Sequence, residues 1–204
     1  AQGEGPGLTI EYYDSLDLTG EPVLSQVTSQ MRWFWWGDFA EAVDAQRFSV
    51  RLSGTLTPPE SGAYAFSLTS AGLSRLFIDG EQVVDNWNSY QSGKSSFGMG
   101  SNEVFGELEL HAGQSYDLVI EYSHEGASVI GAVRVGCLPA MPVDMMDRAV
   151  QLAAQSDVAL LFIGTNGEWE SEGFDRPNMD LPGKQVELLE KVVAANPNTI
   201  VILN

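Results

Sequence analysis

The period of the apolar residues changes near residue 138, and this change constrains the fold more than any other feature of the sequence. Before it, apolar residues alternate with polar ones in short segments, as in Arg47–Leu56, where Phe48, Val50 and Leu52 occupy every second position. A period of two places one face of a strand against a core. Further strands are expected at Ala63–Thr69, Arg75–Ile78, Glu103–Leu110, Tyr116–Tyr122 and Val129–Val135.

Turn signals separate these segments. Asp79-Gly80 stands between two apolar segments, and an Asp-Gly pair in that position predicts a two-residue hairpin, because a type I′ turn needs positive φ at both central residues. Pro58–Gly62 and His111–Gly113 separate other segments. Many short antiparallel strands with frequent turns are typical of a β-sandwich or barrel. We therefore expect an antiparallel β-sandwich over residues 1–137.

From residue 138 onward, helices alternate with fully apolar strands. Pro142–Gln155 has helical spacing, and a second helix is expected after Pro182-Gly183. Val158–Ile163 and Thr199–Leu203 are continuous apolar runs, which suit parallel strands that are buried on both faces. Residues 138–204 therefore predict an α/β unit with two parallel strands. Two strands cannot shield both faces of such a layer, so we expect the unit to be an incomplete part of a larger α/β domain.

The charge balance excludes several classes of partner. Among the 204 residues, 10 Lys and Arg stand against 28 Asp and Glu, which gives a formal net charge of −18. Such a surface repels phosphate backbones and anionic headgroups, so we expect no nucleic-acid partner and no membrane partner. No apolar run reaches the roughly 18 residues that a membrane span needs. No signal peptide is visible, and the compartment stays open.

Residues 164–183, between the two apolar strands, carry the side chains best suited to chemistry. This segment follows the carboxyl end of the first strand, which is where ligands bind in open α/β sheets. Three glutamates lie within five residues, beside a tryptophan: Glu168, Glu170, Glu172 and Trp169. Carboxyl groups next to an aromatic ring suit general acid/base chemistry on a sugar. A solvated acidic loop, tied down by Asp175-Arg176 or by Asp180, is the alternative interpretation.

A second candidate is the aromatic segment Met31–Asp38, which holds three of the five tryptophans. In an extended strand Trp33 and Trp35 share one face, whereas Phe34 and Trp36 share the other. Two interpretations stay open at this point. The rings pack in the core, or one exposed member offers a platform for a sugar, since aromatic faces pack well against apolar groups. Trp36 is the predicted substrate-binding member.

The remaining nucleophiles and metal ligands form no recognisable site in the sequence. Cys137 is the only cysteine, which excludes an intrachain disulfide and a multi-cysteine zinc site, and we expect it to be a small buried residue. His111 and His124 have no partners at metal-ligand spacing and are expected in loops. We therefore predict no metal and no cofactor.

Several motifs of the second region follow one another in a specific order. They are Glu170–Arg176, Asn178–Gln185 and Asn196–Asn204. Together they resemble the α/β sandwich domain of glycoside hydrolase family 3, the β-glucosidase family. The resemblance implies that one glutamate is the general acid/base of a retaining hydrolase, with Glu172 the first choice, Glu170 the second and Glu168 the third. It also implies that the aspartate nucleophile comes from a (β/α)8 barrel, so this chain alone is expected to be inactive.

Motifs of the first region carry a second resemblance. They are Gly7–Asp14, Trp36–Asp38, Phe48–Tyr64, Arg75–Gly80 and Val84–Trp87. They resemble the protective-antigen-type β-sandwich of bacterial toxins, yeast adhesins and some glycosidases. Sugar-binding adhesins of that family hold calcium with an adjacent aspartate pair, where this chain has Ala71-Gly72. Because calcium needs several oxygen ligands, usually carboxylates, this departure argues against calcium-dependent sugar binding.

The order of the two regions matches some family 3 β-glucosidases, in which the sandwich is inserted just ahead of the acid/base loop. We therefore expect part of a retaining, exo-acting β-glucosidase, with Glu172 as acid/base and Trp169 and Trp36 in contact with substrate. The sandwich would shape the active-site entrance. The expected partners are β-linked gluco-oligosaccharides or aryl glucosides and the remaining domains of the enzyme, with a homo-oligomer left open. A carbohydrate-binding module for polysaccharide, or an oligomer-interface module, is the alternative.

Overall fold

Two units make up the chain, residues 1–140 and residues 141–204, and each is described by itself. The structure is a computed structural model that describes residues 7–126, 130–139, 144–166, 169–170 and 175–204. The first unit is antiparallel β structure, and the second contains a small parallel sheet. The predicted fold class, an antiparallel sandwich followed by an incomplete α/β unit, is confirmed.

Within the described residues, the first unit forms two antiparallel sheets. The six-stranded sheet has the order β2-β1-β4-β9-β6-β7, with strands Leu24–Thr28, Leu8–Tyr13, Arg47–Leu56, Tyr116–Glu125, Leu73–Ile78 and Glu81–Asn86. The four-stranded sheet has the order β3-β10-β5-β8, with strands Arg32–Trp36, Ile130–Pro139, Gly62–Ala71 and Val104–Leu110. One short turn, α1, covers Ser95–Gly98.

The local sequence signals account for much of this arrangement. Strand β4 has the predicted bounds, Arg47–Leu56, because its alternating apolar residues face the core. The turn between β6 and β7 has φ of 48° at Asp79 and 80° at Gly80, which is the pair of positive values that a type I′ hairpin requires. The predicted Asp-Gly hairpin is therefore present.

The core of the first unit lies between the two sheets and is lined by the inward residues of nearly every strand. Its largest completely buried side chains are Tyr122, Phe48, Phe66, Ile10, Leu52, Leu68, Leu76, Ile78, Leu110, Ile120, Val50 and Val84. Removing these side chains from water is the main stabilising contribution to a fold of this kind, at roughly 1.5–3 kcal/mol for each large apolar residue.

Tyr122 connects the two sheets through this core. From β9 its ring stacks on Trp35 of β3, with ring centroids 4.9 Å apart, and it also contacts Phe48 of β4 at 5.9 Å. Its hydroxyl donates to the carbonyl oxygen of Ala71, the last residue of β5. Burial raises the pKa of Tyr122 far above its ordinary value, so the hydroxyl keeps its proton and remains a donor.

Gly72 follows directly and leaves the space that Tyr122 occupies. Its φ is +126°, and a Cβ at this position would lie 2.7 Å from the Tyr122 hydroxyl and 2.7 Å from the carbonyl oxygen of Ser123. A side chain therefore does not fit here while Tyr122 holds its position. In the described part of the chain, no group of three or more His, Cys, Asp or Glu is arranged to hold a metal ion.

A row of alternating charges crosses the outer face of the six-stranded sheet. Its members stand directly opposite one another on β1, β4, β9, β6 and β7: Glu11, Arg51, Glu121, Arg75 and Asp85. Glu121 binds both arginines, with Oε1 3.0 Å from Arg51 and Oε2 2.6 Å from Arg75. Opposite charges on neighbouring strands contribute roughly 0.2–1 kcal/mol per pair, so this row stabilises the order of the five strands.

The second unit pairs two strands in parallel, as predicted. Strand β11 is Ala159–Ile163, β12 is Thr199–Leu203, and the helices are α2, Met145–Ala154, and α3, Gln185–Ala195. Asn196 at the end of α3 donates to the carbonyl oxygens of Ala153 and Ser156, which holds the two helices together. Five large apolar side chains of the strands stay exposed: Leu160, Phe162, Ile200, Val201 and Leu203. Among the described residues, no helix has the length and apolar character needed to cross a membrane.

Two single residues differ from the expectation. Cys137 is exposed, not buried, because the last three residues of β10 extend past the core and are all exposed. His124 is buried within β9, not in a loop, because that strand continues to Glu125, and the imidazole packs 5.5 Å from the Phe48 ring. Both differences come from strands that are longer than the apolar pattern indicates.

Replacing Gly72 by alanine is predicted to destabilise the first unit by about 2–4 kcal/mol, because the methyl group clashes with fixed backbone and with Tyr122 while the backbone is strained. Gly80→Ala is the matched control. It also has a positive φ, but no atom lies within 4 Å of its added Cβ, so only the backbone cost of about 1–2 kcal/mol is expected. Urea unfolding followed by near-ultraviolet circular dichroism measures both, and equal losses would contradict the steric role of Tyr122.

Candidate functional site

The acidic loop, residues 164–183, begins where β11 ends, and hydrogen bonds fix its direction. The backbone N–H of Gly164 donates to Oε1 of Gln185 at 2.7 Å, and Nε2 of Gln185 donates to the carbonyl oxygen of Gly164 at 2.9 Å. The N–H of Thr165 donates to the carbonyl oxygen of Asn204 at 3.2 Å. The loop therefore leaves the carboxyl ends of both parallel strands along a path that the first residue of α3 sets.

Glu170 is bound within this loop. Its Oε2 lies 3.0 Å from Nε of Arg176, and its Oε1 accepts a hydrogen bond from the Thr165 hydroxyl at 3.4 Å. Both carboxylate oxygens are thus engaged by loop groups, although the side chain is 44% exposed. Glu170 therefore acts as an anchor that closes the loop. Among the described residues, an ion pair between Glu170 and Arg176 fixes the loop, and the Asp175-Arg176 pair stays a prediction.

Trp169 stands at the surface of the same loop. Its backbone N–H donates to the carbonyl oxygen of Asn166 at 2.9 Å, and its side chain is 48% exposed. The ring is adjacent to Glu170 in the chain and accessible to a ligand. Glu172 and Glu168, the first and third choices for the acid/base, lie outside the described residues.

Strand β3 places its aromatic rings on opposite faces, as the alternation predicts. Trp33 and Trp35 are buried, whereas Phe34 is 40% exposed and Trp36 is 63% exposed. The Phe34 ring lies 6.1 Å from Trp36 and 6.3 Å from Phe97 of α1, centroid to centroid. Phe97 itself is 62% exposed. We call Phe34, Trp36 and Phe97 the aromatic patch.

The buried neighbour of the patch explains why these rings face outward. Trp35 lies between Tyr122 and Phe48, at centroid distances of 4.9 and 5.4 Å, and its Nε1 donates to the Tyr12 hydroxyl at 3.2 Å. These contacts fix which face of β3 points into the core. Rotating the strand to bury Trp36 would expose Trp35. The outward rings therefore cannot be buried in the core of this unit.

The chemistry available to the two sites differs. The loop offers carboxylates and an exposed indole, which suits proton transfer beside a sugar ring. The aromatic patch offers three adjacent rings, which suit contact with an aryl group or with the C–H face of a pyranoside. Sequence reasoning missed Phe97 and Gln185 as contributors. Phe97 follows no periodic pattern in its loop, and the role of Gln185 depends on a contact to a residue 21 positions away.

Comparison with known proteins agrees with both sets of motifs. A family model described as the PA14 domain matches residues 4–147. A β-glucosidase of Rhizobium radiobacter is 37% identical over 200 residues, which cover 96% of this chain and 24% of that relative. A β-glucosidase of Kluyveromyces marxianus is 39% identical over 171 residues, which cover 79% of this chain and 20% of that relative.

Solved structures give the same result for the fold. The crystal structure of the Kluyveromyces marxianus β-glucosidase superposes with a TM-score of 0.87 at 36% identity, over 97% of this chain and 24% of that one. A structure of the same enzyme in complex with glucose superposes with a TM-score of 0.84 at 34% identity, over 97% of this chain and 23% of that one.

The chain thus spans about a fifth to a quarter of the length of these curated relatives. The similarity extends through both units, since it covers 96% of the chain. The predicted resemblance, a protective-antigen-type sandwich joined to part of a β-glucosidase, is confirmed. Because the PA14 model covers residues 4–147 of the 204, this chain belongs to the PA14 domain family.

Proposed function

We propose that this chain is the PA14 sandwich and the adjoining α/β segment of a retaining, exo-acting β-glucosidase. In this proposal the sandwich shapes the active-site entrance, and the α/β loop supplies the general acid/base. The observation that carries it is the anchored acidic loop at the carboxyl ends of the parallel strands, in a chain similar to β-glucosidases over 96% of its length. The glucose complex of the Kluyveromyces marxianus relative supports glucosides as the substrate class.

The anchoring of Glu170 supports Glu172 as the acid/base. A general acid must lie within hydrogen-bond reach of the glycosidic oxygen, and both oxygens of Glu170 are engaged by Arg176 and Thr165. Glu170 is thus occupied by contacts within the loop. Glu172, two positions further along the sequence, is the glutamate left for the reaction. The glutamate of the Ser-Glu-Gly-Phe-Asp-Arg motif is thus the residue proposed for proton transfer.

The proposed reaction needs a second carboxylate from another part of the parent enzyme. In a retaining hydrolase the nucleophile and the acid/base stand about 5–5.5 Å apart, on either side of the scissile bond. Glu172 would protonate the leaving oxygen while an aspartate of the barrel attacks the anomeric carbon. Glu172 would then take a proton from the water that hydrolyses the glycosyl-enzyme intermediate. This chain alone is accordingly proposed to be inactive.

The aromatic patch supports a role on the leaving-group side. Three clustered rings, two of them more than 60% exposed, form an apolar wall on a strongly acidic protein. A wall of this kind favours aryl glucosides and short oligosaccharides and hinders long ones, so it sets specificity by shape. Trp36, the most exposed member, is the proposed substrate-contacting residue of the sandwich, and Trp169 is that of the loop.

The exposed strand faces of the second unit support further domains as its partners. Leu160, Phe162 and Leu203 are each at least 60% exposed, although parallel strands are normally covered on both faces. We propose that other segments of the α/β domain in the parent enzyme cover these side chains. The small share of the relatives that this chain spans, 24%, leaves ample chain for that purpose.

The aromatic patch also favours a second candidate function, a carbohydrate-binding module for polysaccharide. Titration calorimetry of this chain against cello-oligosaccharides of two to six units distinguishes the two candidates. The entrance role predicts no binding tighter than about 1 mM, since one apolar wall gives little affinity without the rest of the pocket. Calcium-independent binding that tightens with oligosaccharide length would favour the binding module and contradict the entrance role.

In the full-length parent enzyme, Glu172→Ala is predicted to lower kcat on cellobiose by about 10²–10⁴-fold, because proton donation to a poor leaving group is lost. With a dinitrophenyl glucoside, whose leaving group needs no proton, the glycosylation step is expected to be nearly unchanged, and azide is expected to restore turnover. Glu170→Ala is the matched control and is predicted to show no azide rescue. Near-normal turnover of cellobiose by Glu172→Ala would refute the assignment.

Trp36→Ala in the parent enzyme is predicted to raise KM for an aryl β-glucoside by about 3–10-fold with kcat unchanged, because the ring contacts the ground state and the transition state equally. Phe105→Ala is the matched control, since Phe105 is 65% exposed but lies on β8, at the far edge of the same sheet. Steady-state kinetics with the two variants measure the effect. If Trp36→Ala had the same KM as the unaltered enzyme, the proposal that Trp36 lines the active-site entrance would be wrong.

A further inference from the structure

The segment that carries Phe97, residues 87–102, is closed by hydrogen bonds of its own backbone. The N–H of Gly93 donates to the carbonyl oxygen of Gly100 at 2.8 Å, and the N–H of Asn102 donates to that of Gln91 at 2.9 Å. Ser92 and Ser101 form a β-bridge between these two bonds. The segment therefore has a ladder-like neck, with α1 at its tip. We call it the Phe97 loop.

The tip of the Phe97 loop holds two consecutive residues in the left-handed region. Ser96 has φ of 50° and Phe97 has φ of 61°, and each such non-glycine residue costs about 1–2 kcal/mol. Conformations of this kind persist only where surrounding contacts determine them, and they concentrate at functional sites. The Ser95 hydroxyl donates to the carbonyl oxygen of Ser101 at 2.7 Å, which ties the strained turn to the neck. The turn held in this conformation places the Phe97 ring against Phe34.

A buried polar cluster holds the neck to the sandwich. Asn86, the last residue of β7, has its Nδ2 2.9 Å from the hydroxyl of Ser70, 3.2 Å from that of Ser74 and 3.0 Å from that of Ser101. All four residues are at most 1% exposed. Ser70 and Ser101 are also joined directly: the Ser101 N–H donates to the Ser70 carbonyl oxygen at 2.8 Å, and the Ser70 N–H donates to the Ser101 hydroxyl at 3.1 Å. Asn86 thus contacts β5, β6 and the Phe97 loop at the same time.

We infer that Asn86 is a positioning residue for substrate specificity. Through Ser101 it holds the strained Phe97 loop on the sheet, and so keeps Phe97 beside Phe34 and Trp36 as a rigid wall. This inference rests on the proposed function, in which the wall contacts the leaving group. Without the Asn86 amide the buried hydroxyls lose their shared donor, so the neck is held to β5 only by the two hydrogen bonds between Ser70 and Ser101, and the strained turn relaxes. The ring of Phe97 then leaves the wall, while the acidic loop keeps its anchors, which all belong to the second unit.

Two measurements on Asn86→Ala test the inference. On this chain, hydrogen exchange of a peptide that covers residues 87–103 is predicted to accelerate at least 10-fold, with exchange of β4 and β9 unchanged. In the parent enzyme, KM for an aryl β-glucoside is predicted to rise about 3–10-fold with kcat unchanged. Phe97→Ala should give the same rise in KM, and the double variant should give no more than Phe97→Ala alone, since both changes remove one ring.

Asn88→Ala is the matched control, because this neighbouring amide is exposed and its side chain bonds Asp85. It is predicted to leave both exchange and KM unchanged. Should Asn86→Ala not fold, Ser101→Ala removes the hydroxyl that accepts from Asn86 and from the Ser70 N–H, and it keeps the contacts of Asn86 with Ser70 and Ser74. Unchanged exchange of the Phe97 loop in these variants would overturn the positioning role of Asn86. Accelerated exchange in Asn86→Ala with a normal KM in Phe97→Ala would overturn the proposed wall instead, and the specificity role with it.

Discussion

The contact of Tyr122 with Trp35 determines most of what the first unit presents to its surroundings. The stacked pair joins β9 of one sheet to β3 of the other, and the Tyr122 hydroxyl ties the same point to the end of β5. Because Trp35 must point inward, Phe34 and Trp36 must point outward. Because Gly72 has no side chain, it leaves room for the Tyr122 ring. One core contact thus explains why Phe34 and Trp36 are exposed.

In the second unit, polar contacts determine which side chains the acidic loop presents. Gln185 and Asn204 hold the first residues of the acidic loop, and the Glu170–Arg176 ion pair closes it. Of the three clustered glutamates, Glu170 is therefore engaged in holding the loop. Only the carboxylates that do not hold the loop in place are available to a substrate. Because Glu170 holds the loop, this arrangement supports the proposal that Glu172 is the reacting group.

The fold could be predicted from sequence where the signals are local. The alternation in Arg47–Leu56, the Asp79-Gly80 turn and the apolar runs of β11 and β12 each correspond to an observed element. Contacts between distant segments could not be predicted, because polar side chains that meet through space leave no period. The cluster around Asn86 joins residues from Ser70 to Ser101, and the Glu170–Arg176 pair joins two side chains on either side of the acidic loop's central residues. The left-handed turn at Phe97 could not be predicted either, because neither of its strained positions is a glycine.

The central claim is that one chain contributes both the acid/base and the wall on the leaving-group side. The most direct test is a crystal structure of the full-length parent enzyme with a non-hydrolysable thio-linked aryl glucoside. We expect the Glu172 carboxyl within about 3.5 Å of the linking sulfur, a little beyond ordinary hydrogen-bond reach because sulfur is larger than oxygen. We also expect the ring of Trp36 or Phe97 within about 4.5 Å of the aryl group. A ligand whose aryl group contacts neither ring, with a different carboxyl at the linking atom, would contradict this claim.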